Sequence, residues 1–106
     1  MPVYLWQASY RPSGVAGLLK DGGTKRRAVV QQMVEKAGGR LIAMYYAFGE
    51  SDVFGIVEFP DQATAAAVSL TVAASGAVGI KTTVLLTPEE VDAAARKSVN
   101  YQAPGT

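Results

Sequence analysis

Two apolar, β-rich runs in the middle of the chain, residues 41–48 and 53–59, flank the polar turn residues 49–52. Apolar runs of strand length with turn residues between them predict a β-hairpin. A run at the N-terminus, Val3–Tyr10, and another over residues 78–86 are rich in aromatic and β-branched residues, which favour strands. The pattern therefore predicts four strands, with the hairpin at the centre of the fold.

The segments between the first two strands carry helix signals. A short helix is predicted over residues 15–20 with Ser13 as its N-cap, and a longer one over residues 25–37 with Thr24 as its N-cap. The longer helix is expected to end at the glycine pair 38–39, because glycine suits a left-handed C-cap. Its predicted buried stripe consists of apolar residues at helical spacing: Val29, Val30, Met33, Val34 and Ala37.

Two further helices are predicted in the C-terminal half. Asp61 is the expected N-cap of a helix over residues 63–75, in which Val68 and Leu70 are the large anchors among many alanines. The sequence Thr87-Pro88-Glu89-Glu90 predicts another helix, ending near residue 97. It supplies an N-cap threonine, a proline at the first helical position and a capping-box glutamate.

The resulting order, β-α-β-β-α-β, is the split βαβ pattern of ferredoxin-like folds. We therefore expect an α+β fold in which helices cover one face of a four-stranded antiparallel sheet, with an extra C-terminal helix. Because the first strand carries Tyr4 and Trp6 on one face and Val3 and Leu5 on the other, both faces should be covered. We expect the second face to pack on the sheet of another subunit as a dimeric α+β barrel.

A single domain over residues 1–97 and a polar tail over residues 98–106 are expected, because nothing in the chain marks an internal boundary. Hydrophobic residues make up 49% of the chain and charged residues 18%, which leaves few charges to cover a surface and favours a homodimer or a higher homo-oligomer. The net charge of +1 favours neither a nucleic-acid nor a membrane partner. With no signal-peptide pattern at the N-terminus, we expect a cytoplasmic protein.

The composition also limits the chemistry. The chain contains no Cys and no His, which excludes thiolate catalysis, a Ser-His-Asp triad and metal sites built on either residue. We expect no metal and no cofactor. Acid–base chemistry would have to use Asp, Glu, Lys or Tyr.

Five segments of the chain carry a family resemblance: GVAGLLKDGGTKRRAVV, GGRL, AFGESDVFGIVEFPD, TAAAVSLTVAASGAV and KTTVLLTPEEVDAAARKSV. Together they resemble the GYD-domain family over nearly the whole chain. The resemblance implies a small bacterial protein of unassigned activity with a ferredoxin-like architecture. At the family's name motif Gly49 and Asp52 match, but Ser51 stands where an aromatic residue is expected. A role that needs a phenol at that position is therefore not implied for this chain.

A basic turn between the two N-terminal helices is a candidate anion site. Gly23 and Thr24 precede Lys25 and Arg26 at the predicted start of the longer helix. Cations at that end oppose the helix macrodipole, whereas free backbone N–H groups behind a glycine pair suit an anion. A bound phosphate, sulfate or carboxylate would relieve the conflict. The alternative is a solvated basic turn or a salt bridge to another subunit.

Other residues are candidates for catalysis or ligand contact. Glu58 lies in an apolar strand, where it is either an ion-pair partner or a desolvated general base. Asp52 either accepts hydrogen bonds from its own turn or acts as an acid–base residue at a pocket rim. Tyr45 or Lys81 would stabilise an oxyanion. Trp6 and Lys81 are the candidate ligand-lining residues, although aromatic side chains on sheets more commonly form core or interface.

Three hypotheses on function follow from these residues. The first is an oligomeric domain that binds a small, partly apolar or anionic ligand. The second is a cofactor-free enzyme, similar to a monooxygenase or an isomerase, that acts on a small aromatic or ketone substrate. The third is a purely structural assembly protein, which would explain the low surface charge without any pocket.

Overall fold

The fold is built on one sheet of four antiparallel strands, seen in a computed structural model that describes residues 1–106. The strands are β1 (Val3–Tyr10), β2 (Arg40–Tyr46), β3 (Val53–Glu58) and β4 (Val78–Leu85), arranged in the order β2-β3-β1-β4. The helices are α1 (Pro12–Asp21), α2 (Gly23–Lys36), α3 (Gln62–Ala74) and α4 (Pro88–Ala95). This arrangement confirms the predicted α+β, ferredoxin-like fold. None of the four helices has the length and apolar character needed to cross a membrane.

The predicted central hairpin is present as the antiparallel pair β2 and β3. Its register shifts between Leu41 and Ala43, so that one extra residue of β2 is accommodated as a bulge. Strand β2 ends at Tyr46, earlier than the apolar run suggests, because the chain already turns there; Ala47 N–H donates to the carbonyl of Asp52 at 2.8 Å.

The hydrophobic core lies between one face of the sheet and the helices, at the end where β1 begins and β3 finishes. It contains Tyr4, Trp6, Val34, Val57, Phe59, Ala65 and Val68. The ring of Phe59 packs at a tilt against two aromatic neighbours, with centroid distances of 6.0 Å to Tyr4 and 5.8 Å to Trp6. Such tilted pairs contribute about 0.5–1.5 kcal/mol beyond the burial of their area.

The first two helices begin earlier than predicted, and the proposed caps Ser13 and Thr24 are wrong. Pro12 occupies the first turn of α1, with Arg11 as the N-cap, because its fixed φ suits the start of a helix. Helix α2 begins at Gly23, directly after Gly22, whose φ of 84° breaks the helical path. Gly22 N–H still donates to the Leu18 carbonyl at 2.7 Å, so α1 and α2 meet at a one-residue corner.

The caps of the last two helices are confirmed. The carboxylate of Asp61 accepts a hydrogen bond from Thr64 N–H at 2.7 Å, and Thr87 and Glu90 form the complete capping box. The prediction that Leu70 anchors α3 is wrong, because its side chain is 70% exposed. Helix α3 instead faces the core through Ala65 and Val68.

Helix α4 and the segment after it project from the body. Helix α4 ends at Ala95, two residues earlier than predicted, and makes no extensive contact with any other helix or strand. All its residues are exposed, and residues 96–106 contain no further helix or strand.

Candidate functional site

A cavity of about 470 Å³ lies between the sheet and helices α1, α2 and α3. Its lining comprises 22 residues, of which 14 are hydrophobic. The cavity lies beside the hydrophobic core, in the other half of the domain. Trp6 belongs both to the core and to the cavity lining. Since Ser13, Val29, Thr71 and Ser75 line it and are solvent-exposed, the cavity opens to the surface on the side of the helices.

The cavity exists because the part of the sheet that forms its floor carries small residues, and because the helices above this floor lie apart from each other. Ala8 of β1 and Gly55 of β3 lie on the two central strands, on the helix-facing side beside Trp6. Helix α2 packs on β2 and helix α3 on β4, the two edge strands, and the two helices make little contact with each other. The space above the central strands is therefore left open.

One end of the cavity is polar. Tyr10, Asp21 and Arg26 line it where the α1–α2 corner meets the end of β1. Lys25 forms an ion pair with Asp21 at 3.5 Å, whereas Arg26 forms no ion pair. The cavity thus combines apolar walls with one charged end.

Tyr46 lies beside this polar end and ties β2 to α2. Its hydroxyl donates to the Gly23 carbonyl at 3.0 Å. Burial raises the pKa of Tyr46 above its ordinary value, and the neighbouring Tyr10 raises it further, while Arg26 and Arg27 act in the opposite direction. The hydroxyl therefore stays protonated at neutral pH and keeps its role as a donor.

The ring of Trp6 forms part of the cavity wall, but its indole N–H does not serve the cavity. This N–H is fully buried and has no hydrogen-bond partner. Because the indole nitrogen is inaccessible to solvent, a ligand in the cavity would contact the face or an edge of the Trp6 ring and not this N–H group. The contribution of Trp6 to a site is therefore apolar and stacking surface.

The face of the sheet opposite the helices, called here the uncovered face, holds three of the candidate residues. Its side chains form three rows across the strands: Arg40, Glu58, Val3 and Leu85; Ala43, Ile56, Leu5 and Thr83; and Tyr45, Phe54, Gln7 and Lys81. Glu58 forms an ion pair with Arg40, its cross-strand neighbour. Tyr45 is 72% exposed, and Lys81 lies at the far edge of the same row.

Asp52 lies in the turn after β2 and holds this turn against β1. Its carboxylate accepts a hydrogen bond from Tyr10 N–H at 2.8 Å, and its own N–H donates to the Ala8 carbonyl at 2.8 Å. The nearby Ser9 hydroxyl donates to the Glu50 carbonyl at 2.8 Å. The turn thus extends the pairing of β1 and β3, and Asp52 does not line the cavity.

The four residues of the candidate anion site do not act as one group. Gly23 uses its carbonyl to accept the Tyr46 hydrogen bond, Thr24 is exposed, and Lys25 pairs with Asp21. Only Arg26 among them lines the cavity. The structure therefore separates Arg26 from its neighbours and places it in the lining of the same cavity as Trp6.

Comparison with known families decides where the chain belongs. The family model of the GYD domain matches residues 4–95 of the 106-residue chain. The chain is a member of the GYD-domain family. Comparison with curated proteins and with solved structures gave no match.

In this GYD domain the sequence interpretation did not identify Ala8 and Gly55 as cavity residues. A signal was present, because Ala8 and Tyr10 share the strand face of Trp6, and a small residue beside a large one marks an unfilled space. The pairing that brings Gly55 next to Trp6 depends on the register between β1 and β3. That register is a property of the folded sheet.

Proposed function

We propose that this GYD domain binds a small, predominantly apolar ligand in the cavity between the sheet and its helices. The observation that carries the proposal is the cavity itself, with about 470 Å³ of space and a lining in which 14 of 22 residues are hydrophobic. Small-molecule sites typically enclose about 300–1,000 Å³ and combine apolar walls with a few polar groups.

Physical chemistry favours a ligand in this space. The apolar side chains along the cavity do not pack against other side chains on that side, so they lack the dispersion contacts that a close-packed interior supplies. A ligand lying on Ala8, Gly55 and the Trp6 ring would restore those contacts and remove apolar surface from water. The gain is roughly 25 cal/mol per Å² of apolar surface buried.

We propose binding and not catalysis in the cavity, because none of the three candidate catalytic residues lines it. Glu58 and Tyr45 belong to the uncovered face, and Asp52 bonds the backbone of β1. Their catalytic roles stay predictions.

Binding is tested with the neutral apolar dye N-phenyl-1-naphthylamine. Trp6 is the single tryptophan of the chain, so quenching of its fluorescence reports occupancy next to the cavity wall. We expect saturable binding of one dye per chain. Ala8→Leu, which fills the floor, should weaken binding about tenfold, a loss of about 1.4 kcal/mol.

The matched control is Ala66→Leu, the same substitution at an exposed position of α3 that does not line the cavity. It should leave the affinity unchanged. Binding that does not saturate, or that Ala8→Leu and Ala66→Leu affect equally, would contradict the proposal.

We further propose that the domain forms a homodimer through its uncovered face. The middle row of this face places Leu5 and Ile56 side by side on the two central strands, flanked by Phe54 and Val3 in the adjoining rows. Burial of a side chain of this kind contributes roughly 1.5–3 kcal/mol. Sedimentation velocity over a range of concentrations tests this proposal: a dimer mass supports it, and a monomer at every concentration refutes it.

A further inference from the structure

The single arginine of the cavity lining has no partner in the chain. Apart from Asp21, Arg26 is the only charged residue among the 22 that line the cavity. Asp21 is compensated by Lys25 at 3.5 Å, whereas Arg26 forms no ion pair. A partly buried guanidinium without a partner favours an anion at its side.

The surroundings of Arg26 strengthen this preference. Arg26 lies near the start of α2, whose first turn contains no acidic residue, and Arg27 follows directly. The positive end of the helix macrodipole and the second guanidinium both raise the electrostatic potential at this point. The ring of Tyr10 lines the same end of the cavity and carries no carboxylate group.

The apolar part of the cavity begins immediately beyond this end. Val29, Val30 and Met33 continue along α2 from Arg26, and Ala8 and Gly55 form the floor below. One molecule lying along this path would have an apolar body and a charged end. A free inorganic anion would leave the apolar walls empty, and a neutral molecule would leave Arg26 unpaired.

We propose that the ligand is an amphipathic organic anion, with its apolar body against Trp6 and its carboxylate or sulfonate paired with Arg26. This inference rests on the binding function proposed above and narrows it to one chemical class. It also joins two features that the sequence presents separately, the aromatic first strand and the basic turn.

Two dyes of nearly the same shape test the inference. 1-Anilinonaphthalene-8-sulfonate carries a sulfonate, and N-phenyl-1-naphthylamine has the same aromatic body without a charge. Affinities of both are measured by quenching of Trp6, with the stoichiometry determined by calorimetry. The wild type should bind the anionic dye more tightly. Arg26→Gln should weaken the anionic dye about tenfold or more and change the neutral dye less than about threefold.

Matched variants separate the role of Arg26 from general charge. Arg27→Gln removes the adjacent cation, which does not line the cavity, and should change the affinity for the anionic dye less than about threefold. Arg26→Lys keeps the charge and should retain most of the affinity. Circular dichroism of each variant establishes that it is folded.

The outcomes distinguish this inference from the binding function. If both dyes bind equally and Arg26→Gln affects neither, the anion preference is refuted and binding in the cavity stands. Equal losses in Arg26→Gln and Arg27→Gln also refute the inference, because they show a diffuse charge effect. If the wild type binds neither dye, the proposed function fails and this inference fails with it.

Discussion

Tyr4 is the residue at which packing and hydrogen bonding conflict most clearly. Its side chain is 1% exposed, and its hydroxyl has no hydrogen-bond partner. A buried polar group left unpaired costs about 1–3 kcal/mol. The ring still packs on Phe59, so its apolar contribution is retained.

We therefore expect Tyr4→Phe to raise the free energy of unfolding by about 1 kcal/mol, because it removes the unpaired oxygen and keeps the ring. Urea unfolding at pH 7 measures the change. The control is Tyr46→Phe, which removes a hydroxyl that donates to Gly23 and should lower stability. A loss of stability in Tyr4→Phe would mean that its hydroxyl has a partner.

Gly39 and Gly55 provide a second prediction at single residues. A Cβ at Gly39 would lie 2.2 Å from the carbonyl oxygen of Glu58, which the backbone cannot relieve without moving β2. A Cβ at Gly55 would lie 3.5 Å from its nearest atom, in the Trp6 ring. We expect Gly39→Ala to lower the free energy of unfolding by about 2 kcal/mol and Gly55→Ala to leave it nearly unchanged. Thermal unfolding of both variants checks this, and equal effects would contradict it.

Among the secondary-structure elements, local signals predicted β1 and the start of α4 correctly. The bounds of β1 and the Thr87 capping box depend on residues within one short segment. Ser13 and Thr24 failed as caps for a different reason. Proline and glycine beside them set the backbone dihedrals, and a preceding Pro12 or Gly22 moves the helix start towards the N-terminus.

The site was harder to predict than the elements. The Arg40–Glu58 ion pair depends on the register between β2 and β3, which the bulge near Ala43 shifts by one residue. Counting residues outward from the turn therefore does not predict that Arg40 and Glu58 lie opposite each other. The cavity depends on the distance between α2 and α3. The spacing of apolar residues along either helix does not predict this distance. The two halves of the site, Trp6 and Arg26, were nevertheless recognisable as unusual residues in the sequence.

The N-cap of α3 supports a prediction about pH. Hydrogen bonds from Thr64 hold the pKa of Asp61 below its ordinary value of 3.8. A depressed folded-state pKa contributes stability that is present above the unfolded-state pKa and is lost as the pH falls through the folded-state value. Asp61→Asn keeps an acceptor for the Thr64 N–H but cannot titrate.

We expect Asp61→Asn to be less stable than the wild type at about pH 5, and the difference to be smaller at about pH 2, because the wild-type carboxyl takes up protons as the pH falls. Urea unfolding at the two pH values measures both differences. A constant difference between the two proteins across this range would show that Asp61 contributes no pH-dependent stability. Glu89→Gln, at an exposed position of α4 outside the capping pair, is the control.

The molecule as a whole is more extended than a compact domain of the same length. Its radius of gyration is 16.9 Å, compared with about 13 Å for a compact domain of this size. The excess arises because α4 and the segment after it project from the body, with Val91, Val99 and Tyr101 exposed. Together with the uncovered face, this segment leaves apolar surface that a second copy would cover.

Self-association is therefore tested at the centre of the uncovered face. Ile56 lies between Leu5 and Ala43 in the middle row, so Ile56→Glu would place a charge in the proposed interface. Burial of an unpaired carboxylate is costly, and we expect the variant to sediment as a folded monomer at concentrations where the wild type is a dimer. Leu70→Glu makes a comparable change at a side chain that is 70% exposed on α3, and it should leave the dimer intact. If Ile56→Glu remains dimeric, the interface lies elsewhere, and if both variants dissociate, the effect reflects charge and not position.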